Sequence, residues 1–157
     1  MKKLIFHLNK SLSLFTTALS VFLVICVLWQ VISRYIFSSP STITDELSRY
    51  LFMWVAMIGA AYTTGQKRHL AIDLFVTKLN GTKKIIVEYA IQSGIALFAA
   101  IVLVYGGTAL TLNTLAAGQL TPALGIKMGY VYLCLPLSGL LIIIYSAYFM
   151  LTTKNQG

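Results

Sequence analysis

Four long runs without a charged residue constrain this chain more than any other feature of its 157 residues. They extend over residues 11–33, 50–66, 89–126 and 128–153. A helix needs roughly 20 apolar residues to cross the hydrocarbon core of a bilayer. Only 10% of the residues are charged and 58% are hydrophobic, whereas a soluble domain carries about 25% charged residues. The chain is therefore predicted to be an all-α integral membrane protein.

The third run is too long for one crossing, and its sequence indicates where it divides. The segment NTLAAGQLTPALGIK contains Gly118, Pro122 and Gly125, which are residue types that end helices and form turns. Pro136 lies inside the last run and is expected to kink that helix. We predict a single membrane domain over residues 1–157 with four transmembrane helices, at about 11–33, 47–66, 84–110 and 128–151.

The N-terminus has the basic start and apolar stretch of a secretory signal, but other features argue against that interpretation. The apolar run is longer than a signal core, and no small-x-small cleavage site follows it. Ile25 also stands before Cys26, where a lipoprotein cleavage box needs a small residue. The segment is therefore predicted to be the first membrane helix. Cys26 and Cys134 have no Cys or His neighbours at ligand spacing, which predicts packing residues.

Lys and Arg residues are distributed unevenly between the two predicted sides of the membrane. Nine of them fall in the two terminal tails and the second connection, whereas Arg34, Arg49 and Lys127 fall on the other side. Because basic residues are enriched in cytoplasmic segments, both termini are predicted to be cytoplasmic, in a bacterial inner membrane. Topology and the lipid bilayer account for the net charge of +8, so no nucleic-acid partner is predicted.

Residues 69–80, between the second and third spans, are too few to cross the membrane and too apolar for a free loop. On a helix their apolar and polar side chains separate, which predicts a short amphipathic interfacial helix. Alternating Leu70, Ile72, Leu74 and Val76 also fit a strand, but a lone strand leaves its backbone groups unpaired. The residues predicted at the lipid interface are Lys67, Arg68, Phe75, Lys78, Lys83 and Lys84.

The predicted spans lack the ionisable residues that ion transport, proton transfer or haem binding within a membrane requires. No Asp, Glu, Lys, Arg or His lies in the middle of a span, and such residues usually mark ion or proton pathways. His7 and His69 fall at helix ends, whereas a membrane haem needs imidazoles at depth. The two halves of the chain share no repeat of the kind found in many carriers. The chain is predicted to be neither an enzyme nor a self-sufficient transporter, and no cofactor or metal is expected.

Small residues recur at close-packing spacing in two spans, at Ala56, Ala60 and Thr64 and at Ala90 and Gly94. Such spacing lets helix backbones approach each other in lipid. Two interpretations are open, namely packing inside the four-helix bundle and a contact surface for a larger membrane partner.

A charged cluster stands at the start of the second span. Asp45 and Glu46 favour the positive end of the helix dipole, and Thr42 with Asp45 has capping-box spacing. Arg49 follows at helical spacing, so Asp45, Glu46 and Arg49 are predicted to form one local cluster. Arg34, at the end of the first span, is a candidate fourth member.

The order of these features resembles the small membrane subunit of tripartite ATP-independent periplasmic transporters, the TRAP or DctQ-like family. The resemblance covers nearly the whole chain and is carried by RYIF at residues 34–37, DELSRYLFMW at 45–54, IGAA at 58–61, HLAID at 69–73 and PALGIKMGYVYLCLP at 122–136. It implies a scaffold subunit that braces a large elevator-type membrane subunit, which imports an organic acid with a sodium gradient after capture by a periplasmic substrate-binding protein. Overall resemblance favours sialic acid as the solute.

Under this interpretation the charged cluster is a polar latch to the large subunit, and the competing interpretation is a helix cap with an exposed ion pair. The candidate residues of the partner interface are Arg34, Asp45, Glu46, Arg49, Trp54 and Gly59. The alternative function is an independent four-helix membrane module, such as a redox subunit or a holin-like assembly.

Overall fold

The computed structural model of the protein describes residues 2–66 and 82–154, and every regular element in these ranges is helical. The elements are α1 (Lys2–Tyr35), α2 (Thr42–Gly65), α3 (Thr82–Phe98), a π-helical segment (Ala99–Gly106), α4 (Gly107–Ala116), α5 (Met128–Tyr132) and α6 (Cys134–Lys154). Because α3, the π-helical segment and α4 are continuous, and α5 leads into α6, the described chain forms four helical columns. The predicted all-α fold class is confirmed. The predicted interfacial helix at 69–80 lies outside the described residues.

Three of the four columns are long and apolar enough to cross a membrane, at Ile5–Tyr35, Ile85–Ala116 and Met128–Thr152. Helix α2 is not among them, although it is 24 residues long. Its first two turns carry Asp45, Glu46 and Arg49, which shortens its apolar part. Helix length and composition thus support three of the predicted spans, and the span at 47–66 stays a prediction.

Contacts between named residues define how the columns are arranged. A Cβ atom on Gly59 of α2 would lie 3.9 Å from Thr16 of α1, while Gln30 near the end of α1 contacts Ser48 near the start of α2. Helices α1 and α2 are therefore antiparallel. At the other end of α2, Gly65 lies against Tyr145 of α6.

Helix α6 occupies the centre of the bundle, because α2, α3 and the π-helical segment all contact it. The Tyr89 hydroxyl near the start of α3 donates a hydrogen bond of 2.8 Å to the Met150 carbonyl near the end of α6. The α3–α4 column therefore runs antiparallel to α6. The core cluster lies between these columns and consists of Ala61, Ala99 and Ile142, with Ile95, Leu103, Leu141 and Ile143 packed around it.

Most of the small residues at the close helix contacts differ from those that the sequence pattern indicated. Gly139 and Gly107 lie so close to the neighbouring helix that an added Cβ atom would come within 2.7 Å of Leu103 and 2.8 Å of Leu135, respectively. Thr64 is buried as expected, but Ala56, Ala60, Ala90 and Gly94 are exposed. Internal packing is thus the wrong interpretation for those four. Cys26 and Cys134 are buried free cysteines, which confirms them as packing residues.

The irregular connection predicted before the last span is present, but it begins later than expected, because α4 continues beyond Leu110 to Ala116. The π-helical segment, which the sequence pattern did not indicate, lies against α6 at its buried residue Ala99. Pro136 fits the interruption between α5 and α6 at Leu133. A proline cannot donate to the carbonyl four residues earlier and its ring crowds that carbonyl, which here belongs to Tyr132.

Candidate functional site

Several polar side chains of the described residues meet where α1 turns into α2. Ser41 is the N-cap of α2, and its hydroxyl accepts a hydrogen bond of 3.5 Å from the Thr44 amide. The expectation of a capping box that begins at Thr42 is therefore wrong, because Thr42 is already the first helical residue. The Ser41 amide in turn donates to the Ser33 hydroxyl over 3.4 Å, which joins the cap to the end of α1.

Asp45 and Arg49 form an ion pair on the outside of α2. The Arg49 guanidinium donates to the Asp45 carboxylate over 2.7 Å, and the two side chains are 73% and 39% exposed. The Gln30 amide of α1 donates to the other carboxylate oxygen of Asp45. The pair is thus fixed to α1 but remains accessible to solvent, lipid or a partner.

Glu46 points away from this ion pair and binds the connection between α4 and α5. Its carboxylate accepts hydrogen bonds from the Tyr50 hydroxyl at 2.6 Å and from the backbone amides of Ala123 at 2.5 Å and Leu124 at 3.2 Å. Burial raises the pKa of this carboxyl, but hydrogen bonds from Tyr50, Ala123, Thr121 and Leu124 more than offset that effect. The pKa of Glu46 is therefore lowered, and the carboxylate stays ionised although the side chain is only 8% exposed.

The connection that Glu46 binds is itself folded. The Thr121 amide donates to the Ile126 carbonyl over 2.8 Å, and the Ile126 amide donates to the Thr121 hydroxyl over 3.0 Å. Gly125 closes this turn at a positive φ of 65°, a conformation that glycine adopts without steric cost. The turn leaves the amides of Ala123 and Leu124 free to donate to Glu46. We call residues 117–127 together with the Glu46 side chain the anchored loop.

The sequence-predicted cluster is thus divided between two sites. Asp45 and Arg49 pair as predicted, but Glu46 belongs to the anchored loop. Arg34 forms no ion pair within residues 2–66 and 82–154, and its guanidinium lies 5.9 Å from the centre of the Tyr35 ring. Trp54 is half-buried, and Gly59 faces α1.

Five contributors to these sites were missed by the sequence interpretation, namely Gln30, Tyr50, Thr121, Ala123 and Leu124. Tyr50 follows Glu46 at helical spacing, so that contact was detectable in the pattern. The backbone amides carry no signature in the sequence, because any residue type supplies them.

The predicted lipid-interface residues are placed only in part. Lys83 and Lys84 fall in the first turn of α3. The remaining four, Lys67, Arg68, Phe75 and Lys78, lie outside the described residues.

Within residues 2–66 and 82–154 there is no group of three or more His, Cys, Asp or Glu side chains that could hold a metal ion. The contacts of Asp45, Glu46 and Arg49 are those of sites that fix a loop and present a charged surface. These features define a multi-helix membrane protein whose polar groups at this end of the bundle join α1 to α2 and α2 to the loop before α5.

Comparison with known proteins specifies the class. The family model of "Tripartite ATP-independent periplasmic transporters, DctQ component" matches residues 23–154. The chain belongs to this family, whose members are the small permease subunits of TRAP transporters and are transporter components, not enzymes. It is thus a multi-pass protein of the inner membrane. Small subunits of this family work with a large membrane subunit and a periplasmic binding protein.

Individual relatives agree with this assignment. A protein of Haemophilus influenzae named as a TRAP transporter small permease is 29% identical over 145 residues, which cover 90% of this chain and 86% of the relative. The sialic acid TRAP transporter small permease protein SiaQ of Vibrio cholerae is 24% identical over 63% of this chain and 57% of its own length. The C4-dicarboxylate TRAP transporter small permease protein DctQ of Rhodobacter capsulatus is 32% identical over 59% of this chain and 40% of its own length.

Proposed function

We propose that this small permease subunit is a scaffold, which braces the large membrane subunit of a sodium-driven transporter and does not itself contact the solute. One observation carries the proposal. The central turns of the four described helical columns contain no Asp, Glu, Lys, Arg or His, since Glu88 lies in the second turn of the α3–α4 column, while the outer walls expose large apolar side chains such as Phe22, Phe52 and Leu97. Such a surface suits lipid and a neighbouring membrane protein, and it offers no path for an ion or an organic acid.

In this proposal all four columns cross the membrane, α2 included, with both termini in the cytoplasm. The helix directions support it. Because α1 and α2 are antiparallel and the α3–α4 column is antiparallel to α6, four crossings bring both termini to the same side. The excess of Lys and Arg in the tails and the second connection favours the cytoplasm for that side.

The proposed contact with the large subunit uses the exposed Asp45–Arg49 pair as a polar latch, with Arg34 beside it. The half-buried Trp54 would contribute from the following turn, and the exposed Ala56 and Ala60 lie on the same helix, whereas Gly59 packs against α1 and is not part of this contact. Glu46 would act indirectly, since it is buried and holds the anchored loop in place.

The latch is tested by copurification of the tagged full chain with the large subunit. Arg49→Ala removes an exposed ion pair, which by itself is worth about 0 to 1 kcal/mol. We expect the variant to fold normally and to retain much less of the large subunit, because Asp45 would be left without its cation in a desolvated contact.

Lys10→Ala, which removes another exposed cation near the opposite end of α1 from this contact, is the control and should assemble normally. Normal assembly of Arg49→Ala would reject the latch but not the scaffold. Failure of the wild-type chain to copurify with the large subunit would reject the scaffold and favour an independent four-helix module.

The solute is proposed to be an organic acid, with sialic acid as the first candidate. Two relatives are named for two different carboxylates, sialic acid and C4-dicarboxylates. This difference suits a subunit that does not select the solute. Calorimetry with the cognate binding protein tests the assignment, which holds if sialic acid binds and is rejected if only another carboxylate does.

A further inference from the structure

Two cavities adjoin at the junction of α1 and α2, and Arg49 lines both of them. One is a polar cavity of about 240 Å³, and its walls include Gln30, Arg34 and Asp45. The other is an apolar groove of about 350 Å³ along the α1–α2 seam, lined by Leu23, Val27, Ser48 and Phe52 besides Arg49. A polar cavity joined to an apolar groove matches an amphiphilic ligand.

The charge of the polar cavity favours an anion. Its walls carry two guanidinium groups and one carboxylate, and Asp45 already accepts from both Arg49 and Gln30. Arg34 has no carboxylate partner among the described residues and contacts the Tyr35 ring. One negative charge between Arg34 and Arg49 would neutralise the cavity, and guanidinium groups bind phosphate oxygens with good geometry.

The groove lies at a position along α1 that matches the position of a lipid acyl chain in the bilayer. A helix rises about 1.5 Å per residue, so Val27 and Leu23 lie about 10 and 16 Å from Arg34 along α1. Half of the hydrocarbon core of a bilayer is about 15 Å thick. A phosphate at Arg34 therefore leaves an attached acyl chain along the groove, within one leaflet.

We propose that the α1–α2 junction is a specific phospholipid site, in which Arg34 and Arg49 bind the phosphodiester and the groove of Leu23, Val27 and Phe52 holds one acyl chain. The net charge of the cavity favours phosphatidylglycerol, whose head group carries a single negative charge. The site goes beyond the scaffold function and does not depend on it, although both proposals use Arg34 and Arg49.

The test uses the isolated full chain in detergent, so its result does not depend on the large subunit. Native mass spectrometry measures retention of dioleoyl phosphatidylglycerol, with dioleoylglycerol as the lipid without phosphate and glycerol 3-phosphate as the phosphate without tails. We expect the phospholipid to be retained well above both. The double variant Arg34→Gln/Arg49→Gln should lower its apparent affinity by about tenfold or more, since two charge-assisted contacts are lost.

Two further variants make the test specific. Val27→Trp fills the groove without changing the charge and should also lower retention, whereas Lys127→Gln removes a cation outside both cavities and should not. Thermal unfolding of each variant verifies that it is folded. The proposal is overturned if the folded double variant retains the phospholipid like the wild type, if dioleoylglycerol binds equally well, or if glycerol 3-phosphate displaces the phospholipid. It is also overturned if the isolated wild-type chain retains no phospholipid.

Discussion

Glu46 shows how a buried carboxylate is stabilised beside a membrane helix without a cation. Its partners are two backbone amides and the hydroxyls of Tyr50 and Thr121, and its nearest charged neighbours on α2, Asp45 and Arg49, pair with each other. Backbone amides that converge on one carboxylate favour its ionised form as a cation would. The hydrogen bonds of this side chain therefore hold the anchored loop against α2.

Replacing Glu46 by Gln tests these hydrogen bonds, because the two side chains have almost the same shape. All of its partners are donors, so the amide group of Gln must direct its own donors at one of them. We expect faster hydrogen exchange at the amides of Ala123 and Leu124 in Glu46→Gln than in the wild type. Asp45→Asn is the matched control, because it removes one negative charge from the adjacent exposed residue and should leave exchange in the loop unchanged. Unchanged exchange in Glu46→Gln would show that the carboxylate does not hold the loop.

The lowered pKa of Glu46 gives the protein a predictable dependence on pH. Because the folded state lowers this pKa below its ordinary value of 4.5, the stabilisation is fully present above that value. It is lost as the pH falls through the lower folded-state value. Thermal unfolding in detergent from pH 7 to pH 3 should show a loss of stability below about pH 4.5 that is smaller in Glu46→Gln. An identical acid response in the two proteins would contradict the ionised carboxylate.

At the residue scale, the sequence pattern indicates where the polar site lies but not which groups form hydrogen bonds within it. Helical spacing correctly paired Asp45 with Arg49, since that contact is local. It could not separate Glu46 from the cluster, because the loop partners of Glu46 include backbone amides more than 70 residues away along the chain. Nor did composition distinguish the N-cap residue Ser41 from its neighbour Thr42, since both types cap helices well.

At the scale of the elements, the closest helix contacts are set by glycines whose positions the sequence pattern did not reveal. Gly139 of α6 is enclosed, because a Cβ atom there would lie 2.7 Å from the Leu103 Cβ and 2.9 Å from a Val104 methyl group. Gly94 of α3, which the spacing pattern did single out, has no atom within 4 Å of such a Cβ position. Spacing alone does not tell which face of a helix turns inward when every face is apolar.

The variants Gly139→Ala and Gly94→Ala form a matched pair that tests this packing. Overpacking costs about 1 to 3 kcal/mol in well-packed interiors, so Gly139→Ala should lower the stability of the purified protein by that amount. Gly94→Ala should be neutral or stabilise by up to about 1 kcal/mol through helix propensity. Thermal unfolding in one detergent measures both. Equal effects of the two substitutions would mean that α6 does not approach the π-helical segment as closely as described.

The helices themselves were predictable because charge-free length is a physical requirement of the bilayer. The π-helical segment was not, since residues 99–106 consist of ordinary helix-forming residues and one glycine. The extension of α4 to Ala116 was missed because Thr and Asn at its end resemble loop composition. At this end of α4, Leu115 contacts Gly129 of α5, and this tertiary contact is not visible in the local sequence.

At the scale of the whole molecule, the proposed orientation predicts which residues can be reached from outside the cell. Ser39 and Gln119 are exposed and lie in the connections expected on the periplasmic side. Single cysteines at these positions should react with an impermeant maleimide added to intact cells, whereas cysteines at Gly81 and Asn155 should not. The native Cys26 and Cys134 are buried and should contribute no background. Labelling at Gly81 from outside would reverse the orientation.

The central claim is that this subunit supports transport without conducting the solute. Uptake of radiolabelled sialic acid into proteoliposomes tests it most directly. The purified chain alone should give no uptake with or without a sodium gradient. Adding the large subunit and the cognate binding protein should give uptake that requires sodium and is lost when this chain is left out. Uptake by this chain alone, or full uptake in its absence, would contradict the scaffold function.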